Sequence, residues 1–369
     1  MSCGQVYSPS YKLFKCPRCG GLLDVEISSK HWAPKGIGVW RYASMLPLKK
    51  GITLGEGATP LVKSNLAEGL YVKFEGANPT GSFKDRGMAL GVTVAKESGA
   101  NKILVASTGN TAASAAAYAA RAGMRCYVVL PRGNVARGKL MQAALHGAEI
   151  VMINGLFDKA LEYVVNYGTK YAYPLNSFNP WRLEGQKTVA FEIFEELGCP
   201  DYVVVPVGNA GNISAIWKGF KELAELGLCN KLPRMVGVQA EGAAPLAEAW
   251  ERGLEEPLFV DEPRTVATAI KIGRPINWPK AVRAVKESGG FFIKVQDGEI
   301  LKAQRELAQR DGIGAEPAGA ASVAGFLKAK LRGVVVAVVT GHALKDPDAV
   351  EISAKEVRNA DELMELLEK

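Results

Sequence analysis

From about residue 100 the chain alternates short, β-branched apolar runs with segments of helical periodicity. KILVAS has the length and composition of a buried strand, AASAAAYAARAG reads as a helix closed by Gly123, and RCYVVLP as a strand ending on a proline. KLMQAALHG follows as a helix with a glycine stop, AEIVMING as a strand and LFDKALEYVVNYG as a helix. A second series runs through the helix GQKTVAFEIFEELG, the strand DYVVVPVG, the helix ISAIWKGFKELAELG, the stretch RMVGVQAEG, helices at DGEILKAQRELAQRDG and GAASVAGFLKAKL, and the strand GVVVAVVTG. Strands apolar on both faces and joined by helical crossovers predict parallel sheets covered on both sides. The expected fold is therefore α/β, with two open, mostly parallel sheet domains side by side and the active site between them. The boundary falls in the polar stretch around Asn176 to Gly185, and no internal repeat is visible. The expected division is an N-terminal arm at 1–30, a large domain from 31–85 and 186–369, and a smaller one at 86–185.

In open parallel sheets ligands bind beyond the carboxyl ends of the strands, and four connecting stretches there are unusual besides a glycine-rich loop that carries a lysine. GANPTGSFKDRG sets Lys84 in a glycine-rich loop, with Asn78-Pro79-Thr80-Gly81 as a turn, Ser82 as the expected N-cap and a helix from Phe83 through Val94. A cation in a first helical turn is locally unfavourable, and a positive, partly buried setting lowers an amine pKa, as a nucleophile or base requires. The plainer reading is a solvent-exposed lysine. STGNT, Ser107 to Thr111, opens a helix with hydroxyls, an amide and a glycine, which caps the helix or binds an anion there. PVGNAGNIS places Gly208, Asn209, Ala210, Gly211 and Asn212 between strand and helix as a nest of N–H groups. Its spacing is neither that of a dinucleotide site nor that of a P-loop, so the group it suits is a single phosphate monoester. NSFNPWRLEGQ brings Asn176, Ser177 and Arg182 to the domain boundary, as a structural turn or as a second anion site. VVTGHALKD ends a strand with Thr340, whose hydroxyl can hold a ring nitrogen. A reactive lysine with a phosphate nest fits an aldehyde cofactor carrying one phosphate, and pyridoxal phosphate is such a cofactor.

Composition narrows the class without choosing the chemistry. The chain has 369 residues, 48% apolar and 22% charged, with no low-complexity tract. It has no apolar run of the ~20 residues that span a bilayer and no signal-peptide core, so a cytoplasmic protein is expected. The net charge of +7 is spread out and suits an anionic small molecule as well as a nucleic acid. Cys126, Cys199 and Cys229 read as single buried thiols. Cys16 and Cys19 form a Cys-x-x-Cys knuckle, and Cys3-Gly4 resembles half of another. A zinc ribbon needs four ligands, and the position three before Cys3 is outside the sequence. His31 is a candidate fourth, but the expectation is three reduced cysteines without metal.

Five blocks, NPTGSFKDRG, STGNTAAS, NSFNPWRLEGQKT, PVGNAGNISAIWKG and TGHALKDP, resemble in order and spacing those of the threonine synthases. These belong to the tryptophan synthase β-like group of pyridoxal phosphate enzymes. The resemblance runs through almost the whole chain, and it implies that O-phospho-L-homoserine and water become L-threonine and phosphate by γ-elimination and β-addition. It implies that Lys84 is the Schiff-base lysine and proton-transfer base, that Asn110 bonds the cofactor's phenolic oxygen, and that Thr340 faces its pyridine nitrogen. Gly208, Asn209, Ala210, Gly211 and Asn212 would cradle the cofactor phosphate. Ser107, Thr108 and Thr111 would bind the substrate's carboxylate and reacting end, and Asn176, Ser177 and Arg182 its phosphate. Domain closure over the substrate and a homodimer belong to the same expectation.

The nearest rival is an O-phosphoserine-using β-replacement enzyme such as a cysteate synthase, which keeps Lys84 and the nest. A threonine dehydratase offers Arg182 no substrate phosphate. A basic nucleic-acid-binding protein would need a basic stripe with interleaved aromatics, which the chain lacks. Ala343 stands where the family usually has glycine, which is expected to tilt the loop holding Thr340. Arg132, Asn134 and Arg137 stand where smaller or less charged residues are expected, either on the surface or altering the anion recognised.

Overall fold

The computed structural model describes residues 3–132, 137–154, 157–350 and 354–368. Among these, the arm before Val39 holds no helix or strand beyond one antiparallel bridge between Lys15 and Leu22. A hairpin of β1 (Leu61–Lys63) and β2 (Leu70–Phe74) leads to α1 (Lys84–Glu97). There follow β3 (Lys102–Ala106), α2 (Asn110–Ala122), β4 (Arg125–Pro131), α3 (Arg137–Leu145), β5 (Glu149–Ile153), α4 (Phe157–Tyr171) and β6 (Tyr173–Pro174). The chain continues through α5 (Pro180–Gln186), α6 (Thr188–Leu197), β7 (Tyr202–Pro206), α7 (Gly211–Glu225), β8 (Arg234–Ala240) and α8 (Pro245–Glu251). It ends with α9 (Trp278–Ser288), β9 (Phe291–Val295), α10 (Asp297–Glu306), α11 (Pro317–Ala329), β10 (Val335–Val339) and α12 (Ala360–Leu367).

The strands make two sheets, one of order β1-β2-β10-β7-β8-β9 and one of order β5-β4-β3-β6. Only the β1–β2 pair is antiparallel among the described strands. This is the two-sheet α/β architecture expected from the pattern of apolar runs. All five residues of β10 are buried, as a strand covered by helices on both faces requires. Core residues of the smaller sheet and of α1 and α2 form one apolar cluster, and two further clusters cover the faces of the larger sheet.

Four local expectations are corrected. β2 and β9 escape the apolar pattern because Lys73 and Lys294 interrupt them. The Lys73 ammonium is buried and neutralised by Glu192 at 2.9 Å and Glu196 at 3.1 Å. Ser82 does not cap α1: Phe83 occupies that position, and the Ser82 hydroxyl is buried without a partner among the described residues. The boundary stretch is partly helical, since Asn179 caps α5 by accepting from Trp181 N, and Lys187 separates α5 from α6. Cys199 and Cys229 are joined as a disulfide with Cα atoms 6.1 Å apart rather than left as single thiols.

The lysine loop rests on a buried charge cluster. Arg86 has every guanidinium nitrogen bonded: Nε to Glu75 at 2.7 Å, Nη1 to Glu192 at 2.6 Å and Thr188 at 3.1 Å, and Nη2 to Glu75, Glu192 and Thr59. Glu75 also accepts from Asn78 Nδ2, whose Oδ1 accepts from Gly57 N. The turn in front of Lys84 is thus bolted to the core through the hydrogen-bonded Arg86 and Asn78 side chains. Behind it, α1 and α5 approach closely at glycines. A Cβ on Gly185 would lie 2.0 Å from the Arg86 carbonyl oxygen, and one on Gly91 would lie 3.0 Å from Arg182 Cγ.

Candidate active site

Lys84 is the first residue of α1, and its loop is stitched to the end of β10. Phe83 N donates to Thr340 O at 3.1 Å, His342 N donates to Gly81 O at 2.9 Å, and Ser82 bridges Gly341. Gly81 has φ +82°, which the turn needs and other residues rarely adopt. Asp85 holds the turn from the other side, accepting from Thr80 N at 2.7 Å, Thr80 Oγ1 at 2.6 Å and Ser114 Oγ of α2. These bonds carry the lysine to a set position beside Thr340. Burial pushes the Lys84 amine down to about 7; Arg182 adds to the effect and Glu316 opposes it.

Asn110 opens α2 and donates from Nδ2 to both oxygens of Glu316, at 2.8 and 3.1 Å. Glu316 is buried at the start of α11, with its backbone N donating to Gly341 O. Burial raises its carboxyl to about 7 despite the Asn110 hydrogen bond and the Lys345 and Lys84 charges. Sequence reasoning missed Glu316. GAEPAGAAS reads as an ordinary helix start, and the only signal was a lone carboxylate among small residues. Ser107, Thr108 and Thr111 are half-buried around the same helix start. Asn78, Thr80, Gly81, Gly109, Asn110 and Lys345 line a cleft of about 350 Å³ at the start of α2.

The glycine nest lies between β7 and α7 as expected. Ala210 takes a left-handed backbone, φ 64°, so that successive N–H groups turn toward one point at the helix start. A Cβ on Gly208 would come 3.1 Å from Ile270 Cα, and one on Gly211 would come 3.2 Å from Leu183 Cδ2. Both amide atoms of Asn212 are buried without a partner among the described residues. A buried amide left this way is costly unless a polar ligand satisfies it, and the N–H nest beside it fits a phosphate. Asn277, also missed, ties this nest to the second anion loop: its N donates to Asn209 O at 3.1 Å and its Nδ2 to Ser177 O at 2.9 Å.

In that second loop, Asn176 clamps the end of β3 through both amide atoms, Ala106 N to Oδ1 and Nδ2 to Ala106 O, each at 2.9 Å. This fixes the strand end just before Ser107. Arg182 is fully interior; its Nη1 donates to Leu175 O at 2.8 Å, while Nε and Nη2 find no partner among the described residues. Burial lowers it to about 10, which leaves it a cation at neutral pH. Ala343 has no positive φ and pairs its N with Gly314 O, so glycine is not required there and the Thr340 loop keeps its bonds. Arg132 is exposed, and Asn134 lies outside the described residues.

The nest, the depressed lysine and the Thr340 strand end fit a phosphorylated aldehyde cofactor with a ring nitrogen. Residues 52–341 match the family described as "Pyridoxal-phosphate dependent enzyme". The chain is 48% identical over 383 residues to a threonine synthase of Methanocaldococcus jannaschii, covering 96% of this chain and 94% of that one. A threonine synthase of Methanosarcina acetivorans is 49% identical over 373 residues, covering 95% and 92%. Among solved structures, a threonine deaminase from T.th. matches with a TM-score of 0.64 at 28% identity, covering 77% of this chain and 92% of that one. Sequence and fold agree, and the chain belongs to the pyridoxal-phosphate dependent enzyme family, in the branch of the threonine synthases.

Proposed function

We propose that the chain converts O-phospho-L-homoserine and water to L-threonine and inorganic phosphate with pyridoxal phosphate as cofactor. The observation that carries this reading is the interior Arg182 guanidinium near Lys84, with two nitrogens unpartnered among the described residues. A buried guanidinium needs an anion, and its planar fork matches a phosphate ester. A substrate without phosphate would leave that charge unpaired, which is a strong basis for rejecting homoserine.

The nest residues Gly208 to Asn212 would hold the cofactor phosphate, Asn110 its phenolic oxygen, Thr340 its pyridine nitrogen, and Lys84 its aldehyde carbon through a covalent bond. Bound there, the cofactor supplies an electron sink for negative charge on the substrate carbons. Lys84 would take the Cα proton; a pKa of about 7 makes its neutral form available at neutral pH. Once that proton has been passed on to the bound cofactor, the same amine would be free to remove one from Cβ as phosphate leaves Cγ, with Arg182, Ser177 and the remaining N–H of Asn176 gripping the departing anion. One of the two protons would return to Cγ and the other leave with the phosphate, and water would add its hydroxyl at Cβ and its proton at Cα. Ser107, Thr108 and Thr111 hold the substrate carboxylate at the positive end of α2.

In this reading residues 31–85 and 186–369 form the large cofactor-binding domain and residues 86–185 the smaller one, closing over the cleft. It takes the protein as a cytoplasmic homodimer acting on small molecules without a nucleic-acid partner. No helix among the described residues is long and apolar enough to cross a membrane. The test is to supply O-phospho-L-homoserine and follow threonine and phosphate together. Equal release supports the assignment; silence, with turnover of O-phosphoserine and a sulfur nucleophile, moves the chemistry to β-replacement.

A further inference from the structure

The N-terminal arm carries a cluster that the active site does not use. The sulfur atoms of Cys3, Cys16 and Cys19 all lie within 4.8 Å of one another, and Cys3 Sγ is 3.6 Å from Cys16 Sγ. Sulfurs on a tetrahedral zinc with bonds of ~2.3 Å stand ~3.8 Å apart, so the pair is already at ligand spacing. The backbone is folded as a knuckle: Cys16 N donates to Gly21 O and Gly20 N to Cys16 O, each at 2.8 Å. The Tyr7 hydroxyl sits 3.0 Å from Cys16 Sγ. A donor held against sulfur is what a bound thiolate needs from its surroundings.

We propose that Cys3, Cys16 and Cys19 bind one zinc ion through three thiolates, with Tyr7 as the hydrogen-bond donor that orients Cys16. Soft sulfur donors select zinc over magnesium or calcium, and binding releases the thiol protons. A tetrahedral ion so held keeps a fourth position for water or another donor, and His31 is not part of the group. The ion ties residue 3 to the knuckle in an arm with no regular structure of its own. That arm is in turn pinned to the core: Phe14 is buried against Tyr173 and Phe178, Tyr11 stacks edge-on to Trp181 beside Arg182, and Lys280 Nζ donates to Leu23 O.

The experiment uses the full chain with its cofactor, purified under reducing conditions without chelators. Metal analysis is expected to find one equivalent of zinc per chain, released when a mercurial blocks the thiols. Cobalt(II) exchanged into the site should give thiolate charge-transfer absorption and the intense visible bands of tetrahedral coordination. Cys19→Ser, at an exposed position, should lose the stoichiometric zinc with an unchanged far-ultraviolet circular dichroism spectrum. Tyr7→Phe should weaken zinc by about tenfold while keeping the cobalt spectrum. Wild-type protein without zinc or cobalt bands and with three freely titrating thiols, or Cys19→Ser binding zinc as tightly as wild type, would overturn the proposal.

Discussion

Burial drives Lys84 and Glu316 toward their neutral forms from opposite directions, and this gives the cofactor-free chain a readable pH dependence. The Glu316 value of about 7 lies above the ordinary 4.5, so the folded state keeps a proton that the unfolded chain has released between those values. Its contribution is full below about pH 4.5 and is lost as pH rises through about 7. Lys84 runs the other way: its value of about 7 against 10.5 gives a contribution present above 10.5 and lost as pH falls through about 7. Urea unfolding at about pH 5 and about pH 7 should therefore show Glu316→Gln losing less stability over that interval than wild type; parallel losses would mean Glu316 is ionised throughout. Lys84→Ala should cut turnover by about 10³-fold, and borohydride should no longer fix the cofactor to the chain by mass. Arg182→Ala should lower kcat/KM for the phosphorylated substrate by about 10²-fold or more, the cost of removing a buried partner of an anion, with Arg182→Lys in between. An unchanged KM in Arg182→Ala would remove it from the phosphate site. The lysine loop and the nest were legible in the sequence because glycines punctuate them at fixed offsets from strand and helix. Glu316 and Asn277 were not, because each is a lone polar residue whose partners, Asn110 and Asn209, are remote in sequence.

At the level of elements, α1 and α5 decide where the lysine and the arginine meet. Gly87 and Gly91 on α1 and Gly185 on α5 bring the two backbones into direct contact, and Arg182 projects from the middle of that contact. Gly185→Ala would drive a methyl group to 2.0 Å from the Arg86 carbonyl. Overpacking of this kind costs about 1–3 kcal/mol and shifts Arg182, so lower urea stability and a raised KM are expected together. Wild-type values of both would show that the helices separate freely. The long apolar runs that became β3, β4, β7 and β10 were readable because nothing polar interrupts them. β2 and β9 were not, since a lysine sits inside each and its neutralising carboxylates lie far along the chain. The same limit hid α5: NPWRLEGQ looks like a polar turn, and only the Asn179 cap with Pro180 at the first helical position makes it helical.

Across the whole molecule, the Arg86 cluster joins the hairpin end at Glu75, the lysine helix and α6 in a single buried assembly. Replacing Arg86 by Leu leaves Glu75 and Glu192 with less positive charge to neutralise them, and a loss of about 3–5 kcal/mol in urea unfolding is expected. A loss below about 1 kcal/mol would mean that the two carboxylates simply take up protons on folding. The division into two parallel sheets followed from the alternation of strands and helices, but strand order did not, because order depends on which distant runs pair. The position of β10 has a consequence for how the protein is made. It lies between β2 and β7, and the backbone that follows it receives the Phe83 N–H beside Lys84. The hairpin and the lysine loop leave the ribosome early, yet they can join the rest of their sheet only after nearly the entire chain has been synthesised. A nascent chain, or a product of premature termination before β10, therefore lacks the Thr340 strand end to which the lysine loop is stitched.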